Sequence, residues 1–185
     1  MFILVFQLIF LCVLILLLLV AFIFTAFLAT SICLDVPFIT TRTALLQEIN
    51  KALKLREDSV LYDLGCGNGK ILNYCLDQNR TVCGVGVERN ILPYLLAKIK
   101  LYKSNAVVRF ENIFTTDIHD ATHLYLYLYP GVVDRLLPKI QKECKKGTRI
   151  VSCDFQFSKM VPDEVITIKD SGQKLGKKLF VYVLK

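Results

Sequence analysis

The chain opens on an apolar run that differs from everything after it. Residues 2–34 contain no Asp, Glu, Lys or Arg, and Leu, Ile, Val and Phe dominate. At about 1.5 Å per residue, a helix of this length exceeds a hydrocarbon layer of about 30 Å. The pattern therefore predicts one transmembrane helix within residues 1–34, which spans the bilayer with tilt or overhang.

A cleaved secretory signal is the competing interpretation of this segment. Ala29, Thr30 and Ser31 are small residues of the kind found near cleavage sites. A signal peptide, however, has a basic start and an apolar run of about 7 to 15 residues, whereas this start is uncharged and the run is about twice too long. The anchor is the favoured prediction.

Residues 35–57 are predicted to form a connector and an amphipathic helix. Pro37 ends the preceding helix, and Thr40 or Thr41 can cap the next one. Apolar residues then recur at helical spacing to about Leu55.

From residue 58 to residue 185, strands alternate with helices. Pro93 falls in the first turn of its helix, and Pro138 predicts a kink. The end of the chain, 163–185, is typical of a hairpin with a Gly-containing turn. The alternation predicts an α/β, Rossmann-like domain with a mostly parallel sheet, helices on both faces and an antiparallel strand at the edge. The predicted strands are 59–65, 81–88, 106–112, 121–130 and 147–155, and the helices are 69–78, 90–103 and 131–144.

The formal net charge of +7 lies wholly outside the apolar run. Basic residues begin only after it, at Arg42, Lys51, Lys54 and Arg56. Because basic flanks tend to remain in the cytoplasm, the domain is predicted to face the cytosol and to be attracted to anionic headgroups. The lysines are scattered among apolar residues without an aromatic stacking set, so no nucleic-acid partner is predicted.

The cysteines indicate a reducing compartment. The chain has seven, which form no C-x-x-C pair and no ligand cluster with His119 or His123. An odd count without framework spacing predicts free thiols and no metal site. Both histidines lie in or near a predicted connector, so a structural role is predicted for them.

The stretch "VLYDLGCGNGK", residues 60–70, is the candidate ligand-binding loop. Three glycines after a strand let the backbone bend sharply and approach a ligand closely. Lys70 occupies the place of the last glycine of the dinucleotide fingerprint, and Asp63 directly precedes the loop. An acid at that place suits a positively charged ligand better than a pyrophosphate.

Glu88 ends the second predicted strand, 19 residues after Gly69. A carboxylate there can accept hydrogen bonds from both ribose hydroxyls of an adenosine. The loop and Glu88 together predict an adenosine with a cationic extension, a description that fits S-adenosylmethionine.

"DLGCGNGK" followed by Glu88 resembles the cofactor signature of class I S-adenosylmethionine-dependent methyltransferases. The wider stretch from "DVPFITT" through "LYLYPGVVDRLLPKIQKECKKGTRIVSCDF" resembles the small membrane-anchored, mitochondrial-type protein-lysine methyltransferases and their prokaryotic relatives. The connections after Asn112 and Phe155 are shorter than in the general class I pattern. The helices usual there are therefore expected to be short or missing.

The resemblance implies roles for individual residues. Glu88 would hold the ribose, and Asn112 would lie beside the adenine. Alternatives remain open: Asp63 can cap a helix, Glu88 can be a solvated strand end, and Asn112 can form a turn. The residues implied to wrap the methionine part are Asp63, Gly65, Cys66, Gly67, Asn68 and Gly69.

An acceptor lysine must lose its proton before transfer, which burial in an aromatic pocket favours. Tyr125, Tyr127 and Tyr129 alternate along one predicted strand, and Tyr129 at its tip is the candidate pocket wall. Asp154, at the tip of the next strand, is the candidate proton acceptor. Half-buried sheet tyrosines and a capping acid are the alternatives.

These observations predict a membrane-anchored methyltransferase that modifies a lysine of a membrane protein, the lysine resting on the resemblance alone. A small apolar acceptor, such as a quinone or lipid, is the second hypothesis. A non-catalytic scaffold that binds the cofactor is the third.

Overall fold

The computed structural model describes residues 2–32, 43–168 and 176–185. The chain divides into two compact units, Met1–Pro37 and Phe38–Lys185. The predicted connector features at Pro37, Thr40 and Thr41 lie outside the described residues, as does the turn of the C-terminal hairpin.

The first unit contains a single described element, helix α1 (Phe2–Ile32). Its first 24 residues, Phe2–Thr25, are long and apolar enough to cross a membrane, and none of them is buried. Among the described residues this is the one helix that qualifies, by length and composition only. A secretory signal sequence would meet the same criteria.

The second unit alternates helices with strands, as the sequence predicts. It contains α2 (Thr43–Leu53), β1 (Val60–Leu64), α3 (Lys70–Gln78), β2 (Cys83–Glu88), α4 (Ile91–Lys100), β3 (Ala106–Phe110), β4 (His123–Leu126), α5 (Pro130–Glu143), β5 (Arg149–Cys153), β6 (Glu164–Thr167) and β7 (Lys178–Val183). α5 is continuous across Pro138.

The strands form one seven-stranded sheet in the order β3-β2-β1-β4-β5-β7-β6. β1 to β5 pair in parallel, and β7 runs antiparallel to both β5 and β6. The prediction of a Rossmann-like, mostly parallel sheet with antiparallel C-terminal strands is confirmed.

The antiparallel strand, β7, lies inside the sheet and not at its edge. Four of its six residues are buried, whereas β6 has no buried residue. The more apolar strand of the hairpin therefore takes the interior place, and β6 forms the edge because it tolerates solvent.

β4 is shorter than predicted and ends at Leu126. Pro130 occupies the first turn of α5, and Tyr129 is the N-cap residue of this helix. Because proline has no N–H and a fixed φ, the chain turns into the helix here and cannot continue along the sheet. Tyr127 and Tyr129 consequently lie in the segment between strand and helix.

The amphipathic helix α2 packs its apolar side into the core. Leu45, Leu46, Ile49 and Leu53 are each at most 5% exposed. The Arg149 Nε donates to the Ala52 carbonyl at 2.7 Å, which ties the end of α2 to the start of β5.

Candidate active site

The candidate site lies where the strand order reverses, between β1 and β4. In an open parallel sheet, ligands bind outside the carboxyl ends of the strands at such a point. The loop 65–69 follows β1 at this edge, and Glu88 ends β2 beside it. We call this place the crevice.

The glycine loop is held against β2 by its own backbone. The N–H groups of Gly65 and Cys66 both donate to the Val87 carbonyl, at 2.8 and 3.1 Å. Gly65, Gly67 and Gly69 all have positive φ, at 86°, 54° and 73°. Gly65 is exposed and Gly67 half-buried, so their backbone stays accessible to a ligand.

Gly69 serves packing more than ligand approach. It is buried and is the N-cap residue of α3. A Cβ here would lie 2.8 Å from Leu101 Cδ1 and 3.3 Å from Ala97 Cβ, both on or next to α4. The close helix packing that Lys70 rules out at the next position is thus provided by Gly69, one residue earlier.

Replacing Gly69 by alanine is expected to destabilise the domain by about 1–3 kcal/mol, because the residue would combine a left-handed backbone with a clash against Leu101. Chemical denaturation of the variant measures this loss. Gly131→Ala in α5 is the matched control, since a Cβ there meets nothing within 4 Å and φ is not positive. Equal effects of the two substitutions would contradict the packing role.

Glu88 joins the glycine loop to the start of α4. Its Oε2 accepts from the Gly67 N–H at 3.0 Å, and its Oε1 accepts from the Asn90 N–H at 2.8 Å. The side chain is buried, with 7% exposure. Each carboxylate oxygen can accept more than one hydrogen bond, so capacity remains for ligand hydroxyls. The alternative of a solvated strand end does not describe this position.

Asp63 is a buried acid with an unpaired oxygen. Its side chain is 2% exposed, and Oδ2 has no hydrogen-bond partner among the described residues. Burial, and secondarily the negative charge of Glu88, raises the pKa of Asp63 to about 8. A cation in the crevice would lower the pKa of Asp63 again, because it stabilises the ionised carboxylate.

This arrangement fits S-adenosylmethionine. The cofactor carries a ribose, whose hydroxyls can donate to Glu88, and a methionine part with a sulfonium and an ammonium group, which the unpaired carboxyl of Asp63 complements. An anionic pyrophosphate beside Asp63 would instead meet repulsion once that carboxyl ionises. The described geometry therefore agrees with the cofactor that the sequence predicts, and not with a dinucleotide.

Two asparagines follow the ends of β2 and β3, the strands on the cofactor side of the crevice. Asn112 is exposed, and its Oδ1 accepts from the Phe114 N–H at 3.0 Å, so it orders the turn after β3. Its place beside an adenine stays a prediction. Asn90 was not predicted from the sequence: its Oδ1 is buried and has no partner among the described residues, next to Glu88. Its place two positions after Glu88, at the predicted end of a strand, could have identified Asn90 as a candidate site residue.

The three tyrosines that the sequence groups together have different surroundings. Tyr125 is fully buried within β4. Tyr127 is half-buried, and its hydroxyl donates to Asp154 Oδ2 at 3.1 Å. Tyr129 is half-buried, and its ring centroid lies 6.1 Å from that of Phe155. Phe155 was not singled out from the sequence, although an aromatic residue directly after a predicted strand end was the signal.

Asp154 is occupied by backbone donors. Its Oδ1 accepts from the N–H groups of Lys177 and Lys178 at 2.7 and 3.3 Å, and its Oδ2 accepts from the Gly176 N–H. Asp154 itself has a positive φ of 61°. These contacts fix the entry to β7 and favour a supporting role. Its action as a proton acceptor stays a prediction.

Asp154→Ala is expected to lower the free energy of unfolding by about 2–4 kcal/mol, because several backbone donors would lose a charged acceptor. Thermal or urea unfolding measures the change. Asp58→Ala is the matched control, since Asp58 is exposed and has a similar φ of 62°. A variant with unchanged stability and lost turnover would instead favour proton transfer.

The histidines lie apart from this chemistry, and so do the described cysteines other than Cys66 of the glycine loop. His119 is exposed and pairs with Asp117 at 2.8 Å. Burial, followed by the charges of Arg149 and Arg56, lowers the pKa of His123 to about 4. All cysteines in the described part of the chain are free thiols. Burial raises the pKa of Cys66, Cys75 and Cys153, so these thiols remain un-ionised.

Comparison with known proteins agrees with this site. The sequence profile of the ANTKMT methyltransferase domain matches residues 63–164, more than half of the 185-residue chain. A protein-lysine N-methyltransferase of Saccharolobus islandicus is 31% identical over 153 residues, which cover 80% of this chain and 94% of that protein.

More distant similarities point the same way. A lysine N-methyltransferase of Homo sapiens, which is named for an ATP synthase subunit, is 24% identical over 141 residues. That match covers 73% of this chain and 58% of the human protein. An RNA methyltransferase of Salinibacter ruber, solved with S-adenosyl-L-homocysteine, gives a TM-score of 0.72 at 25% identity. The structural match covers 79% of this chain and 94% of the solved one.

Proposed function

The chain belongs to the ANTKMT methyltransferase domain family and is an S-adenosylmethionine-dependent protein-lysine methyltransferase, and we propose that it acts from a membrane on a membrane protein. The observation that carries this proposal is α1. A 31-residue helix without a charge, attached to a methyltransferase domain, is best explained as an anchor.

We assign cofactor binding to the crevice. Asp63 supplies negative charge for the cationic methionine part, and the loop residues Gly65, Cys66, Gly67 and Asn68 wrap it. Gly69 ends the loop and packs it against α4. Glu88 accepts the ribose hydroxyls while its contacts with the Gly67 and Asn90 N–H groups keep the loop in place. Asn112 takes the adenine side.

The bound cofactor supplies a methyl group on a sulfonium, ready for in-line displacement by a neutral amine. The protein's task is positioning and exclusion of water. Tyr129 and Phe155 provide an aromatic wall at the ends of β4 and β5, which favours an uncharged lysine amine. Burial raises the pKa of Tyr127 well above its ordinary value, so its hydroxyl remains neutral and serves Asp154 as a donor. The amine proton leaves to solvent before transfer.

Orientation and substrate follow from the anchor. The basic residues that follow the apolar run favour a domain on the cytoplasmic side of the bilayer. A tethered enzyme encounters lysines at the membrane surface far more often than soluble ones, because tethering raises the effective concentration. The human relative is named for a lysine of an ATP synthase subunit, and a lysine of a membrane protein is the acceptor class that we propose here.

Methyl transfer in membranes tests the proposal. Membranes from cells with and without the chain are incubated with methyl-labelled S-adenosylmethionine, and protein hydrolysates and lipid extracts are counted separately. The expected result is methyl-lysine in membrane proteins that depends on the chain. Glu57→Gln, at an exposed acid outside the crevice, is the active control, and Asp63→Ala is the inactive one.

Two outcomes would contradict the proposal. Label that follows the lipid extract would identify a small apolar acceptor. Release of the full-length chain from membranes by alkaline carbonate would show that α1 is not an anchor.

A further inference from the structure

The outward face of α4 is uninterrupted by polar residues. Ile91, Leu95 and Ile99 follow one another at four-residue spacing and are 57%, 47% and 75% exposed. Leu92 and Leu96 lie beside them and are 46% and 45% exposed. Residues four apart share one side of a helix, so these five side chains form one continuous surface, here called the α4 patch.

This patch is not the side by which α4 packs onto the sheet. Ala97, within α4, and Leu101, directly after it, are buried. Tyr94 contacts Phe110 of β3, with ring centroids 5.2 Å apart. At about 100° per residue, the patch points away from these contacts. α4 is therefore apolar on two opposite sides, whereas a solvated surface helix is polar on its outer side.

Neighbouring residues extend the apolar surface. β3 is the edge strand next to α4, and its Val107 and Phe110 are 60% and 52% exposed. Tyr102, after the end of α4, is 84% exposed. Exposed apolar surface of this extent, on contiguous elements, is typical of an interaction site.

The charged residues of the segment that carries the patch have one sign. Residues 89–110 contain no Asp or Glu, and their five basic residues are Arg89, Lys98, Lys100, Lys103 and Arg109. Lys98, Lys100 and Lys103 are exposed. Lys98 and Lys100 flank the patch on its two sides, given the helical spacing. The surroundings therefore complement a negatively charged partner.

We propose that the α4 patch lies in the headgroup region of an anionic bilayer and fixes the orientation of the domain on the membrane. This inference rests on the proposed function, which brings the domain to a membrane through α1. An apolar helix face flanked by lysines is the pattern of interfacial helices, whose binding combines apolar burial with attraction to anionic lipids. A second copy of the chain is a poorer partner, because it would bring the same basic residues face to face.

Docking of the patch would select among acceptor lysines. α4 begins directly after Glu88 and Asn90, and Glu88 Oε1 accepts the Asn90 N–H. A docked patch therefore places the cofactor end of the crevice beside the membrane surface. Lysines close to the bilayer surface become the accessible acceptors, whereas lysines on domains that extend far from the bilayer do not.

Tryptophan fluorescence tests the inference in the full-length chain, which contains no tryptophan. Ile99→Trp places a single reporter on the patch, Phe10→Trp places one in α1, and Gln141→Trp places one at an exposed position of α5. Each variant is reconstituted in phosphatidylcholine vesicles, with or without phosphatidylserine, that contain lipids brominated in the acyl chains.

The expected result is quenching of Ile99→Trp that increases with phosphatidylserine, and no quenching of Gln141→Trp. Quenching of Phe10→Trp reports the anchor separately. If Phe10→Trp is quenched and Ile99→Trp is not, the inference fails while the anchor stands. If Phe10→Trp is not quenched, the anchor itself fails. A blue shift of Ile99→Trp that grows with protein density, without quenching, would identify self-association and overturn the inference.

A charge reversal provides the second measurement. In the Ile99→Trp background, Lys100→Glu with Lys103→Glu is expected to lower the ratio of docked to undocked domain by at least about fivefold for each lysine, since each substitution removes an attraction and adds a repulsion. Lys145→Glu with Lys146→Glu is the matched control, because both residues are exposed and precede β5, four strands away from β3. Equal loss of quenching in the two pairs would contradict a docking role of the α4 patch.

Discussion

Replacing Glu88 by alanine is expected to weaken S-adenosylmethionine binding by about a hundredfold or more, because two charge-assisted hydrogen bonds to the ribose would be lost. The loop would also lose its acceptor at the Gly67 N–H, and α4 its acceptor at the Asn90 N–H. Calorimetric titration of the full-length chain in detergent measures the affinity, and thermal unfolding measures the accompanying loss of stability.

Glu88→Gln separates charge from shape. The amide keeps one oxygen acceptor, but its nitrogen is a donor and would face one of the two backbone N–H groups. An intermediate affinity is expected, together with lower stability. Glu57→Gln removes the same charge from an exposed position and is expected to leave both quantities unchanged. Wild-type affinity in Glu88→Ala would show that the ribose is held elsewhere.

Asp63 is expected to make the cofactor-free protein less stable as the pH rises. Its pKa is raised from 3.8 to about 8 by burial and by Glu88. Between these two values the folded state holds a proton that the unfolded state has released. The contribution of Asp63 to the free energy of unfolding is therefore fully present below its pKa in the unfolded state. It falls by about 1.4 kcal/mol per pH unit as the pH rises, and it is lost above its pKa in the folded state.

The affinity of the protein for S-adenosylmethionine is expected to depend on pH in the opposite direction, rising as the pH rises. The positive charges of the cofactor favour the ionised carboxylate, so binding releases a proton from Asp63 below about pH 8. The affinity of the wild-type protein should consequently rise with pH by up to about tenfold per unit and level off near the free pKa.

Asp63→Asn is the matched variant for both measurements. It has nearly the same shape and does not titrate, so the wild-type minus variant difference isolates Asp63 from the histidines. Urea unfolding without cofactor and calorimetric titration with it, each over a series of pH values, provide the data. The two proteins should bind S-adenosylmethionine with similar affinity in acid, and their affinities should diverge toward pH 8. If the affinities of both change in parallel with pH, Asp63 does not interact with the charge of the ligand.

The alternation of strands and helices was readable from the sequence because apolar periodicity and punctuation by Gly and Pro act locally. Helices α2 to α5 and the five parallel strands fall within or close to their predicted ranges. The end of β4 was misplaced, since the alternating Tyr125, Tyr127 and Tyr129 look like one strand. Pro130 at the start of α5 overrides that pattern.

The site was readable only in part. Asp63, the glycine loop and Glu88 are close in sequence to strand ends, and the topology of a parallel sheet brings such ends together. The contacts of Asp154 were not readable, because its donors, residues 176–178, lie more than twenty positions away. The packing role of Gly69 likewise depends on Leu101, a residue of another element.

Residues near one another in the chain were enough to predict the fold class, the cofactor chemistry and an apolar N-terminal helix. The packing of distant elements was needed to learn which strand of the C-terminal hairpin is interior, from which donors Asp154 accepts, and that α4 is left apolar toward solvent. Those features depend on which side chains distant elements bury and which they leave uncovered, and local pattern does not carry that information.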